Sequence, residues 1–449
     1  VAFDKLDRFI EKKSVKAYSL PNFDSMQVLG VSNQVGIAIT DHKKSKDLSK
    51  YQLIEEGDFA YNPYRINVGS IGLVPKGVKG LVSPAYVVFK TKNSLLPELL
   101  FDFLKSADGL FQIAKYARGT VRKSLRFNDL CQIEMQIPPI DIQRSILRKK
   151  ESVQVEINEF KTELTHQQTL LKKLRQQILQ EAIEGKLTAE WRQQNPDVEP
   201  ASELLARIQA EKNQLVKDKK IKKQKPLPPI NEEEKPFSLP EGWEWCRIWD
   251  VAELITSGSR DWAKYYADEG AIFVTMGNLS KDSYRLRMNK VRYVKAPLNS
   301  EGSRTKLQEG DLLISITGDV GNLGVIPKGF GEAYINQHTC MLRYMPECRR
   351  QYYLEVMRSP FAKWQYNAPQ RGIKNSFRLG DVGEMLLPLP PAKEQYVIAE
   401  KVKYLTSLCD QLEAQITDNQ THAEQLMQAV LREAFSHSSG QQNQEAVNA

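Results

Sequence analysis

Few side chains in this chain of 449 residues are spaced for catalysis. A nucleotide-binding loop needs Gly-x4-Gly-Lys-Ser/Thr, whose backbone amides cradle phosphates, and no such run occurs. Gly318-Asp-Val-Gly-Asn-Leu-Gly324 has the glycines of a phosphate cradle. Its twin, Gly69-Ser-Ile-Gly72, keeps only two of them, and the strand–helix context is missing, so a tight strand turn is expected. Five cysteines (131, 246, 340, 348 and 409) form no Cys-x-x-Cys pair, and the five histidines show no metal-ligand spacing. Neither a disulfide framework nor structural zinc is expected, and a reducing compartment fits. Ser, His and Asp are present, but the histidines do not recur between the two repeats identified below, so a catalytic triad has no support. The expectation is a binder without catalytic residues, metal ligands or a cofactor of its own.

The remaining polar runs suit binding. Arg118-Gly-Thr-Val-Arg-Lys-Ser124 has a counterpart in Arg371-Gly-Ile-Lys-Asn-Ser376. Arg118, Thr120, Arg122, Lys123 and Ser124, like Arg371, Lys374, Asn375 and Ser376, set cations and small donors around a Gly, an arrangement able to hold phosphate oxygens. A solvated basic turn is the plain alternative; recurrence favours binding. Arg260-Asp-Trp-Ala-Lys-Tyr-Tyr266 and Ser283-Tyr-Arg-Leu-Arg287 interleave cations with aromatics. Arg and Asn read base edges by paired hydrogen bonds, which makes Arg260, Trp262, Lys264, Asn278, Tyr284, Arg285 and Arg287 candidates. Strand-edge packing is the competing reading for the aromatics. In the first half, Tyr61, Asn62, Tyr64 and Arg65 form the most suggestive run. Asn62-Pro63-Tyr64 hints at the Asn-Pro-Pro-Tyr of adenine methyltransferases, but one Pro is lacking and the second half has Ser315-Ile316-Thr317, so it is treated as an accident.

The elements that carry these runs occur twice. Val68-Gly-Ser-Ile-Gly-Leu-Val-Pro-Lys-Gly77 matches Val320-Gly-Asn-Leu-Gly-Val-Ile-Pro-Lys-Gly329 at an offset of 252. The same offset places Ser124, Arg126 and Asp129 on Ser376, Arg378 and Asp381, Pro138-Pro139 on Pro390-Pro391, and Gln143 on Gln395. So long a period means tandem domains, not a solenoid. Each copy opens with short strands joined by turns, as in Asp311-Leu-Leu-Ile-Ser-Ile-Thr-Gly. Each closes on a long helix whose apolar residues recur every seventh position: Ile146, Val153 and Phe160 beside Ile157, Leu164, Leu171 and Ile178 in copy one. Copy two shows Ile398, Leu405 and Leu412 beside Val402, Cys409, Ile416, Ala423 and Val430. Gln167 and Asn419 interrupt the first series at matching points, either as solvated turns or as a polar pair fixing register. Helices of about 68 and 62 Å could pair antiparallel within the chain, holding the domains apart as a ruler.

The domain boundaries expected are 1–140 and 239–392 for the two α/β (α+β) domains, 141–188 and 393–436 for the coiled-coil helices, 189–238 for the linker and 437–449 for a disordered tail. The linker combines a short helix, Ala201–Leu215, with a Lys run ending at Lys225, a Pro cluster and an acidic run, and reads as semi-rigid and exposed. Net charge is +8, which permits a polyanionic partner without demanding one. No apolar run approaches the ~20 residues of a membrane span, and no signal-peptide pattern opens the chain. A cytoplasmic setting, bacterial or archaeal, is expected; the true N-terminus is left undetermined.

Taken together, these runs resemble the specificity (S) subunit of type I restriction–modification enzymes over almost the whole chain. The residues that carry the likeness are Leu174–Thr188, Leu239-Pro-Glu-Gly-Trp-Glu-Trp245, Gly310–Leu313 and Pro390–Gln395. The resemblance implies two target recognition domains, each reading one half of a split, asymmetric DNA sequence. It implies that the helices set the spacer and dock two modification (methyltransferase) subunits, with Ile157, Phe160, Leu164, Leu171, Leu405, Leu412 and Ile416 as seam or docking residues. S-adenosylmethionine would then sit on the partner methyltransferase, and ATP and Mg on a restriction subunit. The Leu-Pro-Glu-Gly-Trp opening has no partner in copy one at the offset of 252, so the first domain is expected to lack its opening strand. Other readings are a specificity subunit of another methylation-based defence system, and a coiled-coil scaffold that binds no DNA.

Overall fold

The computed structural model describes residues 3–33, 36–39, 47–119, 123–295, 302, 305–368 and 377–436. The chain divides into two compact units, 1–165 with 417–449, and 166–416. The fold is mixed α/β with two long helices, Ile140–Ile183 and Ala392–Ser436.

In the first unit, an antiparallel sheet runs in the order Ile10–Lys13, Val87–Thr91, Asp58–Tyr61, Ile71–Leu73. The second unit repeats that order with Ala252–Ser257, Thr339–Tyr344, Leu312–Ser315 and Leu323–Val325. Strand Leu312–Ser315 is buried throughout, which explains why its sequence is an apolar run rather than an alternation. Each sheet is followed by a helix pair, Pro97–Lys105 with Ala107–Tyr116 and Gln351–Arg358 with Pro360–Asn367. Ser106 and Ser359 cap the second member of each pair, accepting from Gly109 N at 3.1 Å and Ala362 N at 3.2 Å. Phe59 stacks on Phe89 at 4.6 Å in the first core, whereas Tyr344 and Tyr353 pack at 5.1 Å in the second.

The opening strand expected to be lacking is present. Phe3–Lys5 pairs antiparallel with Glu134–Gln136, as Glu244–Arg247 pairs with Leu386–Leu389. The offset on this side of the repeat is shorter, so extrapolating 252 from downstream residues placed the strand too early.

Outside this shared frame the units differ. The first carries a hairpin, Leu29–Ser32 with Gly36–Ile39, and a pair, Gln52–Glu55 with Lys79–Val82. The second carries a four-stranded sheet in the order Tyr266–Ala267, Arg292–Val294, Ala271–Val274, Ala333–Ile335, closed by a parallel pair.

The long helices run antiparallel within each unit. Arg175 bonds Asp410 at 2.6 Å and Glu413 at 3.0 Å in the second; Lys161 approaches Glu424 at 3.9 Å in the first. Ile157, Leu164, Leu171 and Ile178 are buried, as are Val402, Cys409, Ile416 and Ala423. The other heptad series is buried less evenly: Ile398 is fully buried and Ile146, Val153 and Leu405 are half-buried, whereas Phe160 is 43% and Leu412 47% exposed. A two-helix contact covers one narrow stripe, and at 3.6 residues per turn the neighbouring position rotates off it. Gln167 and Asn419 are both exposed.

The linker is docked rather than merely exposed. Its helix, Ala201–Lys217, is tied to the second domain by Ala201 N on Gly242 O at 2.8 Å, Gln209 Nε2 on Asp250 O at 3.1 Å, and Lys212 Nζ on Trp249 O. Glu234 returns to Arg247 at 2.8 Å. Lys217, Lys219, Lys220, Lys222, Lys223 and Lys225 remain exposed. Among the described residues, no helix is long and apolar enough to cross a membrane.

Candidate nucleic-acid interface

The residue that follows each basic Gly run is held against the end of a central strand by an equivalent backbone bond. In the first domain, Arg118 and Ser124 exchange hydrogen bonds at 2.9 and 2.8 Å, closing the turn, and Leu125 N then donates to Pro63 O at 3.0 Å. In the second, Phe377 N donates to Ile316 O at 2.9 Å. Leu125 and Phe377 are therefore pinned beside the residues that follow Tyr61 and Ser315, the C-terminal ends of matching strands. Asn62-Pro63-Tyr64 and Ser315-Ile316-Thr317 thus receive Leu125 and Phe377, the residues after the two runs.

The first-domain cluster is exposed at its cations. Arg65 and Lys123 lie at the surface, Tyr64 is 60% exposed and Ser124 half-buried. Asn62 accepts from Tyr64 N at 3.0 Å, which shapes the bend that presents Tyr64 and Arg65. Arg118 is exposed and pairs with Asp129 at 3.0 Å. Tyr61 is not part of the surface: it is fully buried, its hydroxyl donates to Leu125 O at 3.2 Å, and burial pushes its ionisation upward. It props the turn from beneath. Thr120 and Arg122 lie outside the described residues.

In the second domain Arg260, Lys264 and Arg285 are exposed, Lys264 lying over the Tyr265 ring at 5.0 Å. Trp262 is a core residue instead, packed on Phe273 at 5.1 Å and Tyr334 at 5.3 Å. Asn278 is buried as well. Its amide donates to Arg287 O at 2.9 Å and Lys290 O at 3.1 Å, and its oxygen accepts from Thr275 N at 3.0 Å. With its hydrogen-bonding capacity spent on its own loop, it holds that loop's shape and has none left for a base. Arg287 is exposed but donates to Leu279 O. Half-buried Tyr284 donates to Glu355 at 3.1 Å; burial and that carboxylate raise its pKa. Arg358 lies over its ring at 5.6 Å and also bonds Glu355. This network fastens the loop carrying Arg285 to helix Gln351–Arg358. Arg371, Lys374, Asn375 and Ser376 lie outside the described residues.

Sequence reasoning missed the turn Asn336–Thr339, which sits at the same strand end: Ile316 N donates to His338 O at 3.0 Å. Its side chains had no repeat partner to draw attention to them. Gly258 also marks this edge, because a Cβ there would stand 1.9 Å from Ile335 O. Among the described residues, no group of His, Cys, Asp and Glu could hold a metal ion. The arrangement offers cations and amide or hydroxyl groups on turns over a rigid sheet, suited to holding a polyanion and contacting its edges.

Residues 240–419 match the family model described as the type I restriction modification DNA specificity domain. The type I restriction enzyme EcoEI specificity subunit of Escherichia coli is 32% identical over 271 residues, 55% of this chain and 42% of that protein. The EcoAI specificity subunit of Escherichia coli is 36% identical over 277 residues, 58% of this chain and 44% of that protein. The matched stretches thus span less than half the length of these two curated relatives. Among solved structures, the HsdS subunit from Thermoanaerobacter tengcongensis shares the fold, with a TM-score of 0.56 and 19% identity over 97% of this chain and 96% of its own. Residues 240–419 thus match the DNA specificity domain of type I restriction–modification enzymes, and the chain is similar to specificity subunits of such enzymes.

Proposed function

We propose that this chain is the DNA-recognition subunit of a type I restriction–modification complex, with no chemistry of its own. Each domain reads one half of a bipartite, asymmetric target, and the long helices set the spacer and dock two modification subunits. S-adenosylmethionine belongs to those partners, and ATP with Mg to a restriction subunit. The observation that carries this reading is the pair of equivalent backbone bonds, Leu125 N to Pro63 O and Phe377 N to Ile316 O, which pin the residue after a cation-rich run beside a strand end in both domains. A shared frame with dissimilar neighbouring strands suits two ligands of one chemical class. In the first domain, Tyr64, Arg65, Arg118, Thr120, Arg122, Lys123 and Ser124 contact the duplex. Arg260, Lys264, Arg285 and Arg287 do so in the second, together with Arg371, Lys374, Asn375 and Ser376. Tyr61, Trp262 and Asn278 support them from within.

The test is single-molecule methylation sequencing of DNA from a host expressing the chain with its modification subunit. A split adenine motif with a fixed gap is expected. No new methylation from a demonstrably assembled complex would reject the reading in favour of a scaffold.

A further inference from the structure

The turn Asn336–Thr339 joins strand Ala333–Ile335 to strand Thr339–Tyr344. Thr339 N closes it on Asn336 O at 3.2 Å, and Asn336 Oδ1 accepts from His338 N at 3.1 Å. Gln337 and His338 therefore occupy the two apex positions. The first domain builds the same turn: Tyr86 N donates to Ser83 O at 3.0 Å, and Ala85 N to Ser83 Oγ at 3.3 Å. Its apex is Pro84-Ala85, which has no polar side chain. One frame thus carries two apices of opposite chemistry.

The apex side chains of the second domain form a chain of contacts. Thr317 Oγ1 lies 2.9 Å from His338 Nδ1, and Gln337 Nε2 lies 3.0 Å from His338 Nε2. An amide nitrogen can only donate, so in this contact Nε2 accepts from Gln337. Nδ1 then carries the hydrogen and donates to the Thr317 hydroxyl. One of Gln337's two amide hydrogens is consumed, and its plane keeps one free N–H beside a carbonyl oxygen that nothing engages among the described residues. Two further polar atoms at this end of the sheet, Ser259 Oγ and Asn322 Oδ1, are buried without a partner among the described residues.

A coplanar donor and acceptor is the complement of adenine's major-groove edge, which offers N6–H and N7. We propose that Gln337 is an adenine-reading residue of the second domain, oriented by His338 and Thr317. The inference rests on the DNA-recognition reading above and adds to it one residue, one base and one half-site. His338 and Thr317 are positioning residues. Without them the amide turns over and presents two hydrogens, the complement of the two acceptors on guanine. The first domain, with Pro84-Ala85 at this apex, makes no such contact from it.

The experiment is selection from a random duplex library by the purified complex of this chain with its modification subunits, followed by sequencing. The unaltered chain is expected to select a bipartite motif; if it selects none, the DNA reading itself fails, irrespective of Gln337. Gln337→Ala should abolish preference for adenine at one position of one half-site, a loss of about fivefold or more in discrimination, with the other half unchanged. Gln337→Glu, which can only accept, should move that position towards cytosine. Thr317→Val should broaden it to adenine and guanine. The proposal is overturned if Gln337→Ala leaves every position intact, if the base released is not adenine, or if both half-sites weaken together.

Discussion

Trp243 donates its indole hydrogen to Glu394 at 2.8 Å, at a carboxylate with no exposed surface. Thr188 donates to the same carboxylate at 2.6 Å and Arg192 bonds it too. Three runs far apart in sequence, ending the first long helix, opening the second domain and starting the second long helix, meet on one side chain. Gly185 makes the meeting possible: its φ is +72°, and a Cβ there would stand 2.6 Å from Pro240.

Removing that carboxylate strands three donors. We expect Glu394→Ala to destabilise the second unit by about 3 kcal/mol, within the range for breaking a buried pair. Glu394→Gln should cost less, because the amide oxygen still accepts. Urea titrations followed by Trp fluorescence measure both; equal midpoints for all three proteins would show that the cluster contributes nothing.

The helix seam predicts a contrast between neighbours. Leu164 is buried and Phe160 largely open. Leu164→Ala should cost about 2–4 kcal/mol and Phe160→Ala under about 0.5 kcal/mol, read from thermal unfolding. If Phe160 is instead a docking residue, Phe160→Ala will weaken assembly with the modification subunit at unchanged stability.

Docking of the linker should depend on acid. The Asn231 backbone N–H and the Arg247 guanidinium hold the Glu234 carboxyl below its usual 4.5. A carboxylate with a lowered folded pKa contributes fully above that usual value, and its contribution fades as pH falls below it. Hydrogen exchange in 226–238, corrected for intrinsic rates, should accelerate from pH 6 to pH 3.5. Glu234→Gln should show little of that change; an equal change in both would assign it to other groups.

Tyr284 and Glu355 hold the Arg285 loop without being expected to touch a ligand. Glu355→Gln keeps the shape but weakens the hold on Arg358 and, through the loop, should lower duplex affinity about threefold to tenfold, by the loss of one charge-assisted bond. Fluorescence anisotropy with the selected duplex provides the measurement. Arg285→Ala should lower the slope of log affinity against log salt by about 0.9 if it meets one phosphate, whereas Glu355→Gln should leave that slope nearly unchanged.

The duplication was readable from residues alone because turns and caps are local: Gly57 and Gly310, Pro75-Lys76-Gly77 and Pro327-Lys328-Gly329, and Asp129 and Asp381 specify bends without reference to distant chain. The long helices were readable for the same reason, since a seven-residue repeat is a local pattern. Burial is not local. Tyr61, Trp262 and Asn278 have the side chains of surface readers, and became supports only when Leu125, Phe273 and the loop through Lys290 closed over them. Strand pairing is not local either, so Phe3–Lys5 could be recognised only against Glu134–Gln136. Gln337 and His338 were silent in sequence because no repeat marks them. They gain meaning from Thr317, twenty residues before Gln337 along the chain and brought alongside by the pairing of Ser315 with Thr339. Local chemistry wrote the frame, while packing between distant segments chose which of its side chains face outward.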